Sequence, residues 1–561
     1  MKEAQIPYYD ATKPVRFEIV STFSLKHGAA IGESLGSEAV AGHLQGVHGS
    51  GVNVLHTDFQ LDPDIDALTA RIASYPPHIF GVSVKIGALD QTREIMERIA
   101  QIDFEHGKRP LVVMGGVIPT FATTTLHERY PHSIMAINEG EGAAAALVDV
   151  VRGNKRMDQV PGIWYRDSEG KLYVNPPQRL DLKNRHLPAR QTTGRIQSEL
   201  HGMVWAEGSR GCDYNCTFCS VHDLHGGGFV GDIPPESVVA DMQNLRRLGV
   251  TSVSFTDDDF GGDPERSARI AQLMMDAKLN MPFSISTRAD HIWDEGVLKR
   301  NGQMNQTQLA SHNARLLEIM TNLRNAGLNR VFLGMESGSP TQLRRYGKLV
   351  SVQGNYKAIK ILQSLGIDAV AGYIPIDPLM NMKELQENIA FLRSTGMYIK
   401  VTNPLSVLRV QAGSPYLRMA QQQGVVGEQT EDLVFYNAHF KDPAVQKVAT
   451  IADQWVQDIY PFIFGLKGEV ATATLKSGRD DAAHSHAVKQ ALFSFRELEM
   501  NFIGALSDAL QGGPDVETRG IVAKFEAQRR ELIHACKAQA EAGNFGDSPR
   551  LLEVINQFCN H

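Results

Sequence analysis

Cysteine is scarce in this sequence: five residues in 561, an odd number, with none before position 212. Such a set is a poor disulfide framework, and three thiols crowded together suit a metal better. Runs of like charge are missing too. The formal net charge is -7 and the pI near 6.3; no Lys/Arg-rich stretch offers the footprint that tracking a nucleic-acid backbone requires. No stretch reaches the roughly 20 apolar residues of a membrane span. The opening MKEAQIPYYD lacks the basic-then-apolar pattern of a secretory leader. A cytoplasmic location is therefore expected, with neither nucleic acid nor membrane as partner. No internal repeat of roughly 20 to 50 residues is visible.

What is present is enough apolar residue, 42% of the chain, to bury substantial cores, and at roughly 100 to 200 residues per domain the length suggests about three of them. Short apolar runs alternate with helical patterns from the start: FEIV (17–20), VNVL (52–55), IFGVSV (79–84), PLVVMGG (110–116) and SIMAIN (133–138), separated by helix-like stretches at 64–74, 89–102 and 143–151. That alternation predicts a doubly wound, Rossmann-like α/β domain over 1–155, a parallel sheet with helices on both faces. Ligands of such sheets sit beyond the carboxyl ends of the strands. Those ends carry Ser83, Gly115, Gly116 and Asn138-Glu139-Gly140-Glu141-Gly142, and glycine there lets a ligand approach the backbone closely. A linker over 156–200 contains a small hairpin around 167–171 and then proline-punctuated extended chain.

A second series begins beyond it, with strands at 203–207, 251–256, 282–287, 330–334, 369–374 and about 401–409. Helices between them predict a partial or complete parallel β/α (TIM-like) barrel over 201–424, whose chemistry belongs at the carboxyl ends of its strands. From 425 to 561 the pattern is mostly helical. Its aromatic and apolar stripes, WVQDIYPFIFGL and ALFSFRELEMNFIGAL, read first as core; Cys536 and Cys559 within it read as ordinary thiols. The polar stretch NGQMNQTQLASHN (301–313) reads as a surface insertion or lid.

Just after the first barrel strand comes RGCDYNCTFCSV (210–221). Cys212, Cys216 and Cys219, spaced C-x3-C-x2-C on one loop, can direct three sulfurs at one iron–sulfur cluster and leave a position open. Zinc is the rival, with His222 or His225 as a fourth ligand, but closed zinc sites usually come as separated CxxC-type pairs.

GCDYNCTFC resembles the signature of the radical S-adenosylmethionine enzymes, with Phe218 as the aromatic residue before the third cysteine. The resemblance implies a 4Fe-4S cluster on Cys212, Cys216 and Cys219 that binds S-adenosylmethionine at its open iron and cleaves it to a 5'-deoxyadenosyl radical. SFTDDDF (254–260), STRAD (286–290) and FLGMESGSPTQLRRYGK (332–348) resemble segments that hold S-adenosylmethionine. They imply Asp257 and Asp258 at the methionyl amine, Arg288 at its carboxylate or the ribose, and Glu336 on the nucleoside side or in a barrel salt bridge. VPGIWYR (160–166), MGGVIPT (114–120) and INEGEG (137–142) extend the likeness over about 15–420, to the cobalamin-dependent, class B members, most of all the C-methyltransferases. Ser83, Gly115, Gly116, Gly140 and Glu141 are the implied corrinoid contacts. Ile118 and Asn138 depart from the pattern, standing where a histidine and a glycine are common. No DxHxxG is present to place a histidine under cobalt; His27 is the nearest candidate, and a cobalamin bound without a protein histidine is expected.

The implied reaction is methylation of an unactivated carbon in a small-molecule or peptide substrate of specialised metabolism. One S-adenosylmethionine is cleaved and another remethylates cobalamin, with a reducing partner such as flavodoxin or ferredoxin. Oxidation, cyclisation or ring rearrangement without methyl transfer is the alternative, and a non-catalytic sensor a more distant one. Methylthio transfer to transfer RNA would need further cysteines ahead of Cys212 and a basic tail, and neither is present.

Overall fold

A computed structural model of the chain describes residues 6–24, 31–105, 108–296, 304–477, 482–544, 555, 556 and 558. Its first sheet is built from β1 (Val15–Ser21), β2 (Val52–Asp58), β3 (Ile79–Ser83), β4 (Leu111–Gly115), β5 (Ile134–Ala136), β6 (Ile163–Arg166) and β7 (Leu172–Val174), in the order β2-β1-β3-β4-β5-β6-β7. The first five are parallel. Period-2 alternation along them feeds two separate cores. Phe17, Ile19, Val113 and Ile134 face the helices Leu35–His48 and Gly140–Val151, whereas Val20, Phe80, Met114 and Met135 face Ile65–Ser74 and Leu89–Gln101. Burial on both faces is why β1, β3 and β4 read as near-continuous apolar runs, whereas β2 at the sheet edge exposes Asn53 and Leu55.

The hairpin expected in the linker forms, but it is not linker. β6 pairs antiparallel with β5, and β7 with β6, so the hairpin closes one edge of the first sheet. Its alternation is short and one-sided, which is how a strand added to an edge reads. The helix Leu35–His48 also went unread, since glycine and histidine interrupt its apolar face.

The central sheet consists of β8 (Trp205–Ala206), β11 (Val253–Phe255), β12 (Phe283–Arg288), β13 (Leu328–Glu336) and β14 (Asp368–Tyr373), all parallel and in sequential order. β9 (Ser209–Arg210) and β10 (Gly231–Asp232) form a separate two-stranded ribbon above the end of β8. β8 and β14 have only one strand neighbour each, so the arc is open, the partial form of the expected barrel. The sixth strand expected at 401–409 is reduced to bridges from Val401 to Ala371 and from Val407 to Ile376. Asn403 and Pro404 interrupt it, and proline cannot donate to a ladder.

Beyond the arc the chain is not helical at once. β15 (Val410–Gln411), β16 (Val426–Gln429) and β17 (Phe435–Ala438) make an antiparallel sheet in the order β15-β17-β16. Strands this short and polar carry no periodic signal. Three helices follow, Pro443–Ser477, Ala482–Ala509 and Arg519–Glu541. Their stripes are core as expected: Trp455, Phe462, Phe495 and Phe502 join Leu385, Ile389 and Leu392 of the arc in one apolar cluster. Each fully buried aromatic contributes on the order of 2 to 3 kcal/mol. The polar stretch 301–313 is no lid where it is described. Asn305 and Gln308 form a capping box that starts the helix Gln306–Ala326, and glutamine and alanine are good helix formers whatever their polarity. His27, 301–303 and Cys559 lie outside the described residues.

Candidate functional site: the cysteine loop and the glycine crevice

The ribbon of β9 and β10 pinches the base of the loop that holds the three thiols. Gly211 has φ +80, and a Cβ there would lie 2.3 Å from the Gly228 carbonyl oxygen; only glycine fits. Its N–H donates to Asp258 Oδ2 at 3.0 Å. Cys216 is buried, Cys212 and Cys219 half-buried. Burial pushes the Cys212 thiol up to about 12 and the Cys219 thiol up to about 11, so deprotonation awaits a metal centre. Among the described residues no three His, Cys, Asp or Glu side chains gather as a single metal ion would need. His225 instead faces Asp258 at 3.4 Å and His222 faces Asp223. Three thiols in eight positions on one loop suit a cluster with one open iron.

Phe218 stands edge-on to Tyr346, ring centroids 5.2 Å apart, and the Thr217 N–H donates to the Tyr346 carbonyl oxygen, so the end of the loop is seated on the segment after β13. Arg288, at the end of β12, lies over the Tyr214 ring at 3.5 Å and is held by Asp290 at 2.8 and 3.1 Å, with Nη1 3.6 Å from Cys216 Sγ. A cation stands against the most buried thiol. Glu336 ends β13 with φ 64 at a register shift and accepts from Lys348 Nζ at 3.0 Å. The barrel salt bridge anticipated for Glu336 is therefore present.

The carboxylates of SFTDDDF divide. Asp257 is 2% exposed, and its oxygens accept from Gly208 N at 2.8 Å and Ser209 Oγ at 2.7 Å, with Arg266 at 3.4 Å. Burial pushes its carboxyl up to about 6. Expected at an amine ligand, Asp257 instead braces the start of the ribbon. Asp259, which the sequence reading passed over, accepts from Thr287 Oγ1 at 3.0 Å and lies 2.9 Å from His291 Nε2.

In the first domain β3, β4 and β5 are parallel neighbours, so their carboxyl ends lie along one edge of the sheet. Ser83 is level with Ser21 and Gly115. Gly116 has φ +110, and a Cβ there would meet the Val84 carbonyl oxygen at 3.1 Å; a Cβ on Gly115 would meet nothing closer than 3.8 Å, and one on Gly140 would touch Val40 at 3.4 Å. This open, side-chain-free edge fits a large flat ligand. Ile118 is fully buried in the core. Glu141, expected against the corrinoid, is 4% exposed and pairs with Arg210 at 2.9 Å. Arg210 also meets Glu139 at 3.4 Å and Glu207 at 2.9 Å, so the residue two before Cys212 is held by both domains. Asn138 takes the left-handed conformation, φ 61, that glycine would otherwise supply. Its Nδ2 donates to the carbonyl oxygens of Leu224, at 2.7 Å, and Asp223, at 3.3 Å, in the cysteine loop. Nothing in sequence marks these contacts, because the partners are some 70 to 86 positions apart.

Fold and thiol loop define a radical S-adenosylmethionine domain, and the family described as "Radical SAM superfamily" matches residues 207–392. A second family, described as "B12 binding domain", matches residues 26–148. The chain thus joins a B12-binding domain to a radical S-adenosylmethionine domain, the pairing found in cobalamin-dependent radical S-adenosylmethionine enzymes, and these domains imply a 4Fe-4S cluster, S-adenosylmethionine and cobalamin as cofactors. It is 29% identical over 359 residues to the 4'-phospho-dehydrooxetanocin synthase of Priestia megaterium, covering 61% of this chain and 46% of that one. To the hopanoid C-3 methylase of Methylococcus capsulatus it is 24% identical, covering 61% of each chain. The match thus spans about half to three-fifths of these relatives. The solved structure of the cobalamin-dependent S-adenosylmethionine radical enzyme OxsB, with aqua-cobalamin and S-adenosylmethionine bound, covers 98% of this chain and 84% of its own at 20% identity, TM-score 0.84. That likeness includes the helical C-terminal region. Among the described residues no helix is long and apolar enough to cross a membrane.

Proposed function

We propose that this chain is a cobalamin-dependent radical S-adenosylmethionine enzyme that methylates an unactivated carbon of a small-molecule substrate. The observation that carries the reading is the direct joining of the two cofactor-binding edges. Arg210, beside the first cysteine, is paired with Glu139 and Glu141 of the crevice, and Asn138 of the crevice is bonded to the far end of the cysteine loop. The two cofactor-binding edges are thereby held side by side, so that both cofactors can serve one substrate without a domain movement.

When bound, the cofactors supply reductive cleavage of S-adenosylmethionine and a transferable methyl group; the protein supplies position and shielding. Asp258 and the Gly211 N–H set the loop's entry. Arg288, held by Asp290 and lying over Tyr214, and Glu336, paired with Lys348, are offered to S-adenosylmethionine, while Asp257 braces the ribbon beside them. Phe218 and Tyr346 keep the loop's inner side apolar and dry. The domains are proposed as 1–155, 201–424 and 425–561, the 156–200 connection giving its hairpin to the first.

A second reading, oxidation or rearrangement without methyl transfer, is favoured by one observation: the relative at 29% identity is named a synthase, not a methylase. Anaerobic reconstitution with iron, sulfide and hydroxocobalamin, followed by reductive turnover of S-adenosylmethionine with candidate substrates, separates them. About four irons and one corrinoid per chain, with both S-adenosylhomocysteine and 5'-deoxyadenosine released, are expected. 5'-Deoxyadenosine alone alongside a converted substrate supports the second reading, and iron without corrinoid overturns both.

A further inference from the structure

An open cleft of about 1310 Å³ lies where three distant parts of the chain meet: the turn at Gly87–Leu89 of the first domain, the segment 402–409 beyond the arc, and β17 together with the helix Pro443–Ser477. Its wall packs against the same apolar cluster as the cysteine loop. Leu408, Tyr436 and Ala438 line the cleft and belong to the same apolar cluster as Phe218 and Tyr346. At the end of the cleft wall Gln411 Oε1 accepts from Ser220 Oγ, the residue after Cys219, at 2.8 Å. The turn between β16 and β17 is anchored in the first domain. Val434 is buried against its core, and Asp432 accepts from Gly87 N at 3.0 Å.

Two charged groups lining this cleft, Arg409 and Glu431, show no ion pair among the described residues. The Arg409 guanidinium lies over the Phe435 ring at 5.5 Å and makes no ion pair or side-chain hydrogen bond among the described residues. The carboxylates nearby are occupied otherwise. Asp90 pairs with Arg93 at 2.8 Å, Asp432 holds Gly87, and Asp453 accepts from Gln457 at 2.7 Å, leaving Glu431. A guanidinium braced on an aromatic face with its fork free is pre-organised for a carboxylate or phosphate, which it grips with two parallel hydrogen bonds. Tyr460, 43% exposed, and Tyr436 offer the same cleft aromatic surface for an apolar body.

We propose that this cleft binds the organic substrate and that Arg409, braced by Phe435, holds an anionic group of it, a carboxylate or phosphate on a molecule with a flat apolar part. The assignment rests on the proposed function, and its test is separable from that of the function. Phenyl phosphate, benzoate and neutral benzyl alcohol are titrated calorimetrically into the reconstituted protein and into Arg409→Ala, Arg409→Lys and Arg93→Ala variants of matched thermal stability. The expected result is saturable binding of one or both anions, which also tells phosphate from carboxylate. Arg409→Ala should weaken it about ten- to a hundredfold, the worth of a charge-assisted hydrogen bond. Arg409→Lys should fall between, keeping charge without the fork, and Arg93→Ala should leave it nearly unchanged. Equal binding of benzyl alcohol, no saturable binding of either anion, loss on Arg93→Ala instead, or an unchanged Arg409→Ala variant each overturns the proposal. Iron and corrinoid content of the wild-type chain, read in the same series, tests the function independently.

Discussion

In the cysteine loop, the residues that spacing singles out stand together: three thiols within eight positions, a glycine that only glycine can replace, and an arginine 3.6 Å from the middle sulfur. In the crevice, the glycines keep their places while two polar residues change occupation. Glu141 is taken by Arg210, and Asn138 reaches across to the carbonyl oxygens after the cysteines. A site whose donors are neighbours in sequence is set by local geometry. A site assembled from strand ends can lend its polar groups to whatever the second domain brings alongside, and here it brings the cysteine loop.

The largest expected effect belongs to the loop. Cys216→Ala should leave the chain folded and able to bind corrinoid but abolish the cluster, reducing iron from about four per chain to near zero. A variant that still loads iron and cleaves S-adenosylmethionine would break the first half of the comparison.

The junction comes next. Arg210→Ala leaves Glu139 and Glu141 without their cation and Glu207 with Arg185 alone, a loss of about 3 to 5 kcal/mol, read by denaturant unfolding. Glu141→Gln keeps a hydrogen bond to Arg210 and should cost only about 1 kcal/mol while corrinoid uptake, followed by absorption, stays near one per chain. Corrinoid loss in Glu141→Gln with stability intact would return Glu141 to the cofactor.

The Asn138 pair sharpens the comparison at a smaller scale. Asn138→Gly keeps the left-handed backbone and loses only the bonds to the cysteine loop, whereas Asn138→Ala adds strain of about 1 kcal/mol or more. The alanine variant should therefore melt below the glycine variant; the reverse order would show that φ at this position is not what asparagine supplies.

The pH dependence sharpens the comparison in another way, because the two regions have opposite signs. Burial holds Asp257 up at about 6, so between 3.8 and about 6 the folded barrel keeps a proton that the unfolded chain has released, and stability falls as pH rises through that window. Glu38 in the first domain is also buried, which alone would raise it, but His56 at 3.0 Å and the bonds from Thr192 hold it down at about 2. Its contribution is complete above 4.5 and is lost as pH falls toward 2. Asp257→Asn should flatten the first trend and Glu38→Gln the second in thermal melts taken across pH 3 to 7. If Asp257→Asn leaves the first trend unchanged, that carboxyl is not the source.

The sequence by itself determined the features whose cause is local. Short apolar runs marked the five parallel strands of the first domain and most of the arc, and the C-x3-C-x2-C spacing marked the thiol loop. It could not separate Asp257 from Asp258, since adjacent aspartates on one strand end differ only in which neighbour they meet. It took the β6–β7 hairpin for linker and missed β15 to β17, because short polar strands carry no period and are held by partners far along the chain. The tertiary structure alone decided that Arg210 and Asn138 join the two cofactor edges and that Arg409, without an ion pair among the described residues, lines a cleft packed on the cluster of Phe218. Each of these depends on side chains separated by many tens of residues in sequence, where no spacing rule operates and only packing brings the groups within a few ångströms.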